Sequence, residues 1–343
     1  MASSLNVSCL GLVSAVGLTP ESTCAAMRAG LIGFEETPFK DDSAEPIIGA
    51  MVPIVDAGVR GKERVAELMI HALACLPERL PSDVFCSDAP LLLCTREAGR
   101  PGAELQGVVA QVESRLGFSF CREGARHFPS GAVAAFESLA YARSLLDEGV
   151  TKACLVVAVD TLIDVRTLHW LDNARRLKRD GNSDGIVPGE AACVALVTAQ
   201  PVSPSFIGVQ GLGFATETAT VFNDDPLLGQ GMAQAIRGAL READVEMHEI
   251  SFRLSDVSGE AYAFEEIALA QSRLLTRTRE SQDVLHPAGY VGDCGAANGL
   301  LQVAWAEQAM VRRYACGPLA LAHATAPFGA RAAAVLKGEH DGT

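Results

Sequence analysis

The sequence predicts an α/β protein assembled from two similar halves, and three observations carry that prediction. First, the runs Ala153 to Val159 and Ala191 to Val197 are continuously apolar, as strands covered on both faces must be. Second, Val133, Phe136, Leu139, Ala140, Leu145 and Leu146 recur every three or four residues, the spacing of a helix that Gly149 can close. Third, turns of small residues feed a helix at Pro129-Ser-Gly-Ala and again at Gly295-Ala-Ala-Asn. Glycine turns feed a small-residue strand at Pro188-Gly-Glu-Ala-Ala and again at Phe328-Gly-Ala-Arg-Ala-Ala.

The elements follow in order. A short apolar strand precedes Thr19-Pro20-Glu21, which supplies an N-cap, a first-turn proline and an acidic residue for a helix that Gly30 ends. Helical spacing returns through Val65, Leu68, Met69 and Ala72, and through Leu105, Val108, Val109 and Val112. After the central helix and the two apolar strands, Pro201, Val202, Ser203 and Pro204 break the pattern. It restarts as a strand over 206–214, a helix over 229–243 and a strand over 250–255, so the boundary is placed near 200, with halves 1–200 and 201–343.

At 343 residues, 49% apolar and 20% charged, the chain has the composition of a globular protein long enough to divide into two packed units. Its formal charge of −14 opposes binding to nucleic acid or anionic lipid, and disfavours acidic carrier proteins. The local exception is Arg175, Arg176, Lys178 and Arg179, a basic run suited to an anionic partner or to solvent. Ten cysteines are dispersed without a CxxC pair, which reads as reduced, mostly buried thiols. The N-terminus lacks the pattern of a secretory leader and no apolar run reaches a bilayer span, so the expected location is cytoplasmic. Seven scattered histidines give no metal-ligand spacing, and Gly208, Gly211 and Gly213 form only a loose cluster without a phosphate loop; no metal or cofactor is expected.

Four ordered segments resemble the β-ketoacyl synthases that elongate acyl chains on carrier proteins. Cys9-Leu-Gly-Leu-Val-Ser-Ala-Val-Gly17, with the helix through Met27-Arg-Ala-Gly30, is similar to the family's opening strand, glycine turn and first helix. The stretch from Asp184 to Ala192 resembles its RDGFxxGEGA segment, Gly295-Ala-Ala-Asn-Gly299 its GAAG helix start, and Phe328-Gly-Ala-Arg-Ala332 its glycine-rich gate. The resemblance implies a thiolase-like α-β-α-β-α five-layer fold, the two halves each contributing a five-stranded sheet. It also implies a homodimer joined edge to edge through a strand near the nucleophile.

Condensation by that family needs a thiolate at the N-terminus of a buried helix and two imidazoles that stabilise the oxyanion and assist decarboxylation. Aligning Ser130-Gly131 with the end of the family's Cys-small-Ser-Gly pattern puts Phe128 at the thiol position. The first histidine position falls on Asp256 or Ser258 within Leu254-Ser-Asp-Val-Ser-Gly-Glu260, the second on Gly292, and a lysine position on Pro287. None of these side chains supplies the required chemistry.

The leading expectation is therefore a pseudoenzyme: a dimer with itself, a specificity subunit paired with an active synthase, or an adaptor, with an acyl carrier protein among the candidate partners. Against it stands a diverged acyltransferase or hydrolase using Ser130 or Cys294, with His127, Asp256 and Asp293 nearby in the same loops. Ser130 has a plain role as a helix cap, His127 as a structural histidine, and Cys294 as a small buried apolar residue. A third alternative is an ordinary synthase with its nucleophile at another position.

Overall fold

The computed structural model describes residues 5–80, 87–277 and 282–338. Its first half contains β1 (Leu5–Val13), α1 (Pro20–Arg28), β2 (Glu35–Lys40), β3 (Pro46–Gly49), α2 (Gly61–Leu73), α3 (Leu76–Arg79), β4 (Pro90–Cys94), α4 (Val108–Leu116), β5 (Cys121–Phe128), α5 (Ala134–Asp147), β6 (Ala153–Thr161), α6 (Val165–Asn173) and β7 (Glu190–Thr198). The second contains β8 (Ile207–Thr216), α7 (Gln230–Ala243), β9 (Phe252–Ser255), α8 (Ala261–Leu274), β10 (Val284–Leu285), α9 (Ala288–Val291), α10 (Asn298–Val311), β11 (Leu319–Thr325) and β12 (Ala330–Lys337).

The sheet order shows how the halves correspond. One half runs β5-β4-β6-β7-β1 and the other β10-β9-β11-β12-β8, and the two meet where β1 pairs antiparallel with β8. In both, the two outer pairings are parallel and the two nearest the junction antiparallel. Side-chain alternation then builds the layers. In β7, Ala191, Cys193, Ala195 and Val197 face an inner core shared with α5, α10 and the second sheet, while Ala192, Val194 and Leu196 join an outer core with α2 and α4. In β12, Ala332, Ala334 and Leu336 face inward, while Ala333 and Val335 pack outward against α7. The result is the expected sequence of helix, sheet, helix, sheet and helix layers.

Burial explains why α10 carries almost no polar face. Every residue from Asn298 to Met310 is buried, so the helix is mainly apolar on all sides, and its Glu307 is buried with partners, accepting from the Cys9 N–H at 2.9 Å and Ser205 Oγ at 2.6 Å. The glycines of β8 serve the outer layer: a Cβ at Gly213 or Gly211 would lie 1.9 or 2.2 Å from the carbonyl oxygens of Ala235 or Ala239 in α7. They permit close helix-to-sheet packing, which accounts for a cluster that lacks a phosphate loop.

The glycine turn before β7 also carries an anchor. Glu190, fully buried, accepts from Arg64 Nε at 2.6 Å, from the Val52 N–H at 2.8 Å and from Thr161 Oγ1 at 2.9 Å. It ties α2 and the chain after β3 to the start of β7. Removing one partner of such a pair leaves the other charged and buried, at a cost of about 3–5 kcal/mol. Arg64→Met is therefore expected to lose about that much stability in urea unfolding, and the double variant Arg64→Met/Glu190→Gln less than the sum of the two single losses. Additive losses would contradict a coupled pair.

Candidate functional site

The buried helices α5 and α10 start in the same way, and their starts adjoin. Each is preceded by a single 3₁₀ turn, Gly131–Val133 and Gly295–Ala297, and each turn opens on a glycine with positive φ, +62° at Gly131 and +51° at Gly295. A side chain there would meet a carboxylate. A Cβ at Gly131 would lie 2.0 Å from Glu97 Oε1, and one at Gly295 would lie 2.1 Å from Asp160 Oδ2. Both carboxylates are held by Arg100, whose Nε donates to Glu97 at 2.9 Å and whose Nη2 donates to Asp160. Asp160 also accepts from the Ala296 N–H at the head of α10, where a negative charge is favoured.

Beside this clamp lies a cavity lined by Glu97, Arg100, Trp170, Arg176, Asp256, Ser258, Glu260, Asp293, Asn298 and Arg331, among others. Arg176 pairs with Glu260 through two bonds of 2.7 Å, and Arg331 with Glu266 at 2.8 Å. Asp293 accepts from the Gly295 N–H at 2.9 Å, from Asn298 Nδ2 at 2.8 Å and from Ser258 Oγ at 3.3 Å. Asp256 accepts from the Thr325 N–H at 2.6 Å. Burial, reinforced by neighbouring Asp293, pushes the Asp256 carboxyl up to about 8.

Trp170 lines the cavity and packs on Phe222 and Phe328, which stack with centroids 5.4 Å apart. The guanidinium of Arg176 lies over Trp170 and Phe222. Arg179, from the same basic run, pairs with Asp172 at 2.9 Å and Asp41 at 3.7 Å. Intrachain pairing thus occupies both arginines, because the loop folds back over its own acidic neighbours.

The structure divides the residues singled out from sequence. Asp256, Ser258 and Asp293 share the cavity, and Ser258 bonds Asp293. Phe128 is the last residue of β5, buried against Tyr141, and the turn itself is three residues further on at Gly131. With Ser130 and His127 it borders a separate surface groove completed by Tyr141 and Phe214. His127 bonds Thr95 Oγ1 at 2.7 Å. Gly292 leaves no room for a larger group: with φ +69°, a Cβ would sit 2.8 Å from the Val187 carbonyl oxygen and 3.0 Å from that of Pro188. Pro287 precedes the short helix α9. Cys294 is fully buried and donates to the Val291 and Gly292 carbonyls, and burial holds its thiol well above the ordinary value. Neither Ser130 nor Cys294 lines the cavity.

The residues missed from sequence are Glu97, Arg100 and Asp160. Asp160 had a signal, since it follows an apolar run and stands next to last in its strand. Glu97 and Arg100 had none, lying in a loop whose course only packing defines.

No protein-family model and no curated protein sequence matches the chain. Solved structures do match. A chain of the ketosynthase ApeO in complex with its chain length factor ApeC, from Xenorhabdus doucetiae, superposes with a TM-score of 0.77 at 15% identity, covering 98% of each chain. The chain has the ketosynthase fold. The ishigamide ketosynthase/chain length factor matches this ketosynthase-fold chain with a TM-score of 0.80 at 16% identity, covering 99% of it and all of the other chain. The AntDE:AntF complex, a type II polyketide synthase acyl-carrier protein with its ketosynthase bound to the hexaketide, matches at 0.79 and 13%, covering 99% of this chain and 100% of that one. No helix among the described residues is long and apolar enough to cross a membrane.

The raised Asp256 carboxyl has a consequence for stability. Its folded value, about 8, lies above the unfolded value near 3.8, so between these the native state holds a proton that the unfolded state does not. Stability from this group is full below pH 4 and is lost as pH rises through 8. Urea unfolding of Asp256→Asn against the parent should show a difference that shifts in favour of the variant over this range; a pH-independent difference would contradict the assignment. Thiol labelling of the native protein should modify exposed Cys316 well before buried Cys294.

Proposed function

We propose that this protein is a ketosynthase-fold subunit without condensing activity, serving as a binding or specificity partner of an active synthase. The observation that carries the reading is the turn at Gly131. At the head of the buried helix, where the family's chemistry needs a thiolate, there is no side chain, and the Glu97 carboxylate fills the space a Cβ would need. A negative charge in that position opposes both formation of a thiolate and approach of a carboxylated extender unit. The proposed histidine positions add nothing that restores the chemistry, since Asp256 and Ser258 lack imidazoles and Gly292 is enclosed by carbonyls. In line with the matched ketosynthases, such a subunit belongs to fatty acid or polyketide biosynthesis.

Two further features fit a subunit role. Strand β5 lies at the end of the sheet, bonded only to β4 among the described residues, so its other edge offers backbone groups to a second chain. The groove of Phe128, Tyr141 and Phe214 adjoins it. Two of the matched structures pair a ketosynthase with a chain length factor, and such a heterodimer is the arrangement proposed here; a homodimer through the same edge is the competing outcome.

Incubation with acyl and malonyl carrier thioesters, followed by mass spectrometry, should show neither condensation product nor acyl adduct. Co-expression with an active ketosynthase from the same organism should give a heterodimer by size-exclusion chromatography with light scattering. An adduct on any cysteine or on Ser130 would overturn the non-catalytic reading, and failure to associate would overturn the subunit role.

A further inference from the structure

The charged cavity beside the two helix starts is not balanced by its own ion pairs. Arg100 is taken by Glu97 and Asp160, Arg176 by Glu260 and Arg331 by Glu266. Asp256 and Asp293 remain, and neither has an ion-pair partner among the described residues. An uncompensated buried carboxylate costs several kcal/mol, so each either keeps a proton or meets a cation from outside. Independently, Arg100, only 4% exposed and on the cavity wall, has an Nη1 with no hydrogen-bond partner. Such an orphaned donor calls for an acceptor that the protein does not provide.

These two demands select a ligand class. A carboxylate or phosphate would be a third anion around Arg100, beside Glu97 and Asp160, and would face Asp256 and Asp293 as well. A long acyl chain would desolvate charged walls without giving them partners. A small organic cation bearing a neutral oxygen satisfies both sets of groups, its ammonium toward Asp256 and Asp293 and its hydroxyl or carbonyl accepting from Arg100. The wall residue Trp170 suits the same class: it packs on Phe222 and Phe328, and Arg176 already lies 5.8 and 5.4 Å from the Trp170 and Phe222 centroids, so this aromatic cluster accommodates a cation.

Resting on the reading that the condensing chemistry is absent, we propose that the cavity is a binding site for a small ammonium compound carrying a hydroxyl or carbonyl oxygen. Binding displaces the proton of Asp256. The charged groups facing this carboxyl are Asp293 and Arg331, with Glu97, Arg100, Arg176 and Glu260 on the surrounding wall. Affinity therefore rises with pH as Asp256 gives up its proton.

Calorimetric titration of the full chain with ethanolamine tests the site, with ethylene glycol and acetate as matched compounds lacking the cation. Ethanolamine should bind, more tightly at pH 8 than at pH 6, and the other two should not. Asp256→Asn should weaken binding by about tenfold or more, the loss of one charged hydrogen bond. Trp170→Ala, on the cavity wall, should weaken it several-fold and decides the matter if the first variant does not fold. No heat with ethanolamine up to about 50 mM, equal binding of ethylene glycol, or parental affinity in either folded variant would overturn the proposal. An acyl adduct sinks the non-catalytic reading, whereas ethanolamine binding indifferent to Asp256 sinks this one, so the two failures are distinguishable.

Discussion

Glu97 and Asp160 occupy the space above two glycines at the starts of the two central helices, and one guanidinium holds both carboxylates in place. This arrangement constrains much around it. Gly131 and Gly295 must be glycine for two reasons, a positive φ that L side chains rarely adopt and a carboxylate standing where a Cβ would point. Arg100 must be arginine because it serves two acceptors on different elements, the loop after β4 and the end of β6, which a single point charge on a flexible stem would do poorly. The clamp thereby joins the heads of α5 and α10 at the centre of the molecule, where the two halves share their core.

The same clamp connects fold to function. In a condensing enzyme a helix start of this kind concentrates positive potential on a nucleophile and an oxyanion; here that potential is met by fixed carboxylates. The electrostatic resource of the helix start at α10 is used to hold Asp160 through the Ala296 N–H, and Asp293 is held by the neighbouring Gly295 N–H. What is left over is a polar, acidic cavity with Trp170 on its wall. On the reading proposed above, such a cavity recognises a small polar molecule and does not turn over a thioester.

Much of the architecture was legible because burial writes itself into sequence. Strands β6 and β7 are covered on both faces, so they lack alternation, and the breaks at Pro201 to Pro204 fall between β7 and β8. The helix over 130–147 was legible as a period, but its first turn was not: the positive φ at Gly131 shortens α5 to Ala134–Asp147 and separates the turn from Phe128. Strand β5 escaped notice because it is an edge strand whose residues are mostly exposed, so Cys121–Phe128 carries no apolar run. The helical spacing that began at Leu105 starts in the structure at Val108, since Gly107 takes a left-handed φ of 77° and delays the helix.

The sequence by itself determined the layered α/β class, and the resemblance it carries implied that neither a thiol nor an imidazole stands at the condensing positions. These follow from residue types, and no packing can supply a missing functional group. Only the tertiary structure decided which residue stands at the turn, that Gly292 is closed off rather than open, and that Cys294 is sealed while Asp256 faces a cavity. It also brought Glu97, Arg100 and Asp160 together across long loops. The physical reason is that burial and pairing depend on which distant carbonyls, carboxylates and helix ends meet, and chain-local pattern carries no record of those meetings.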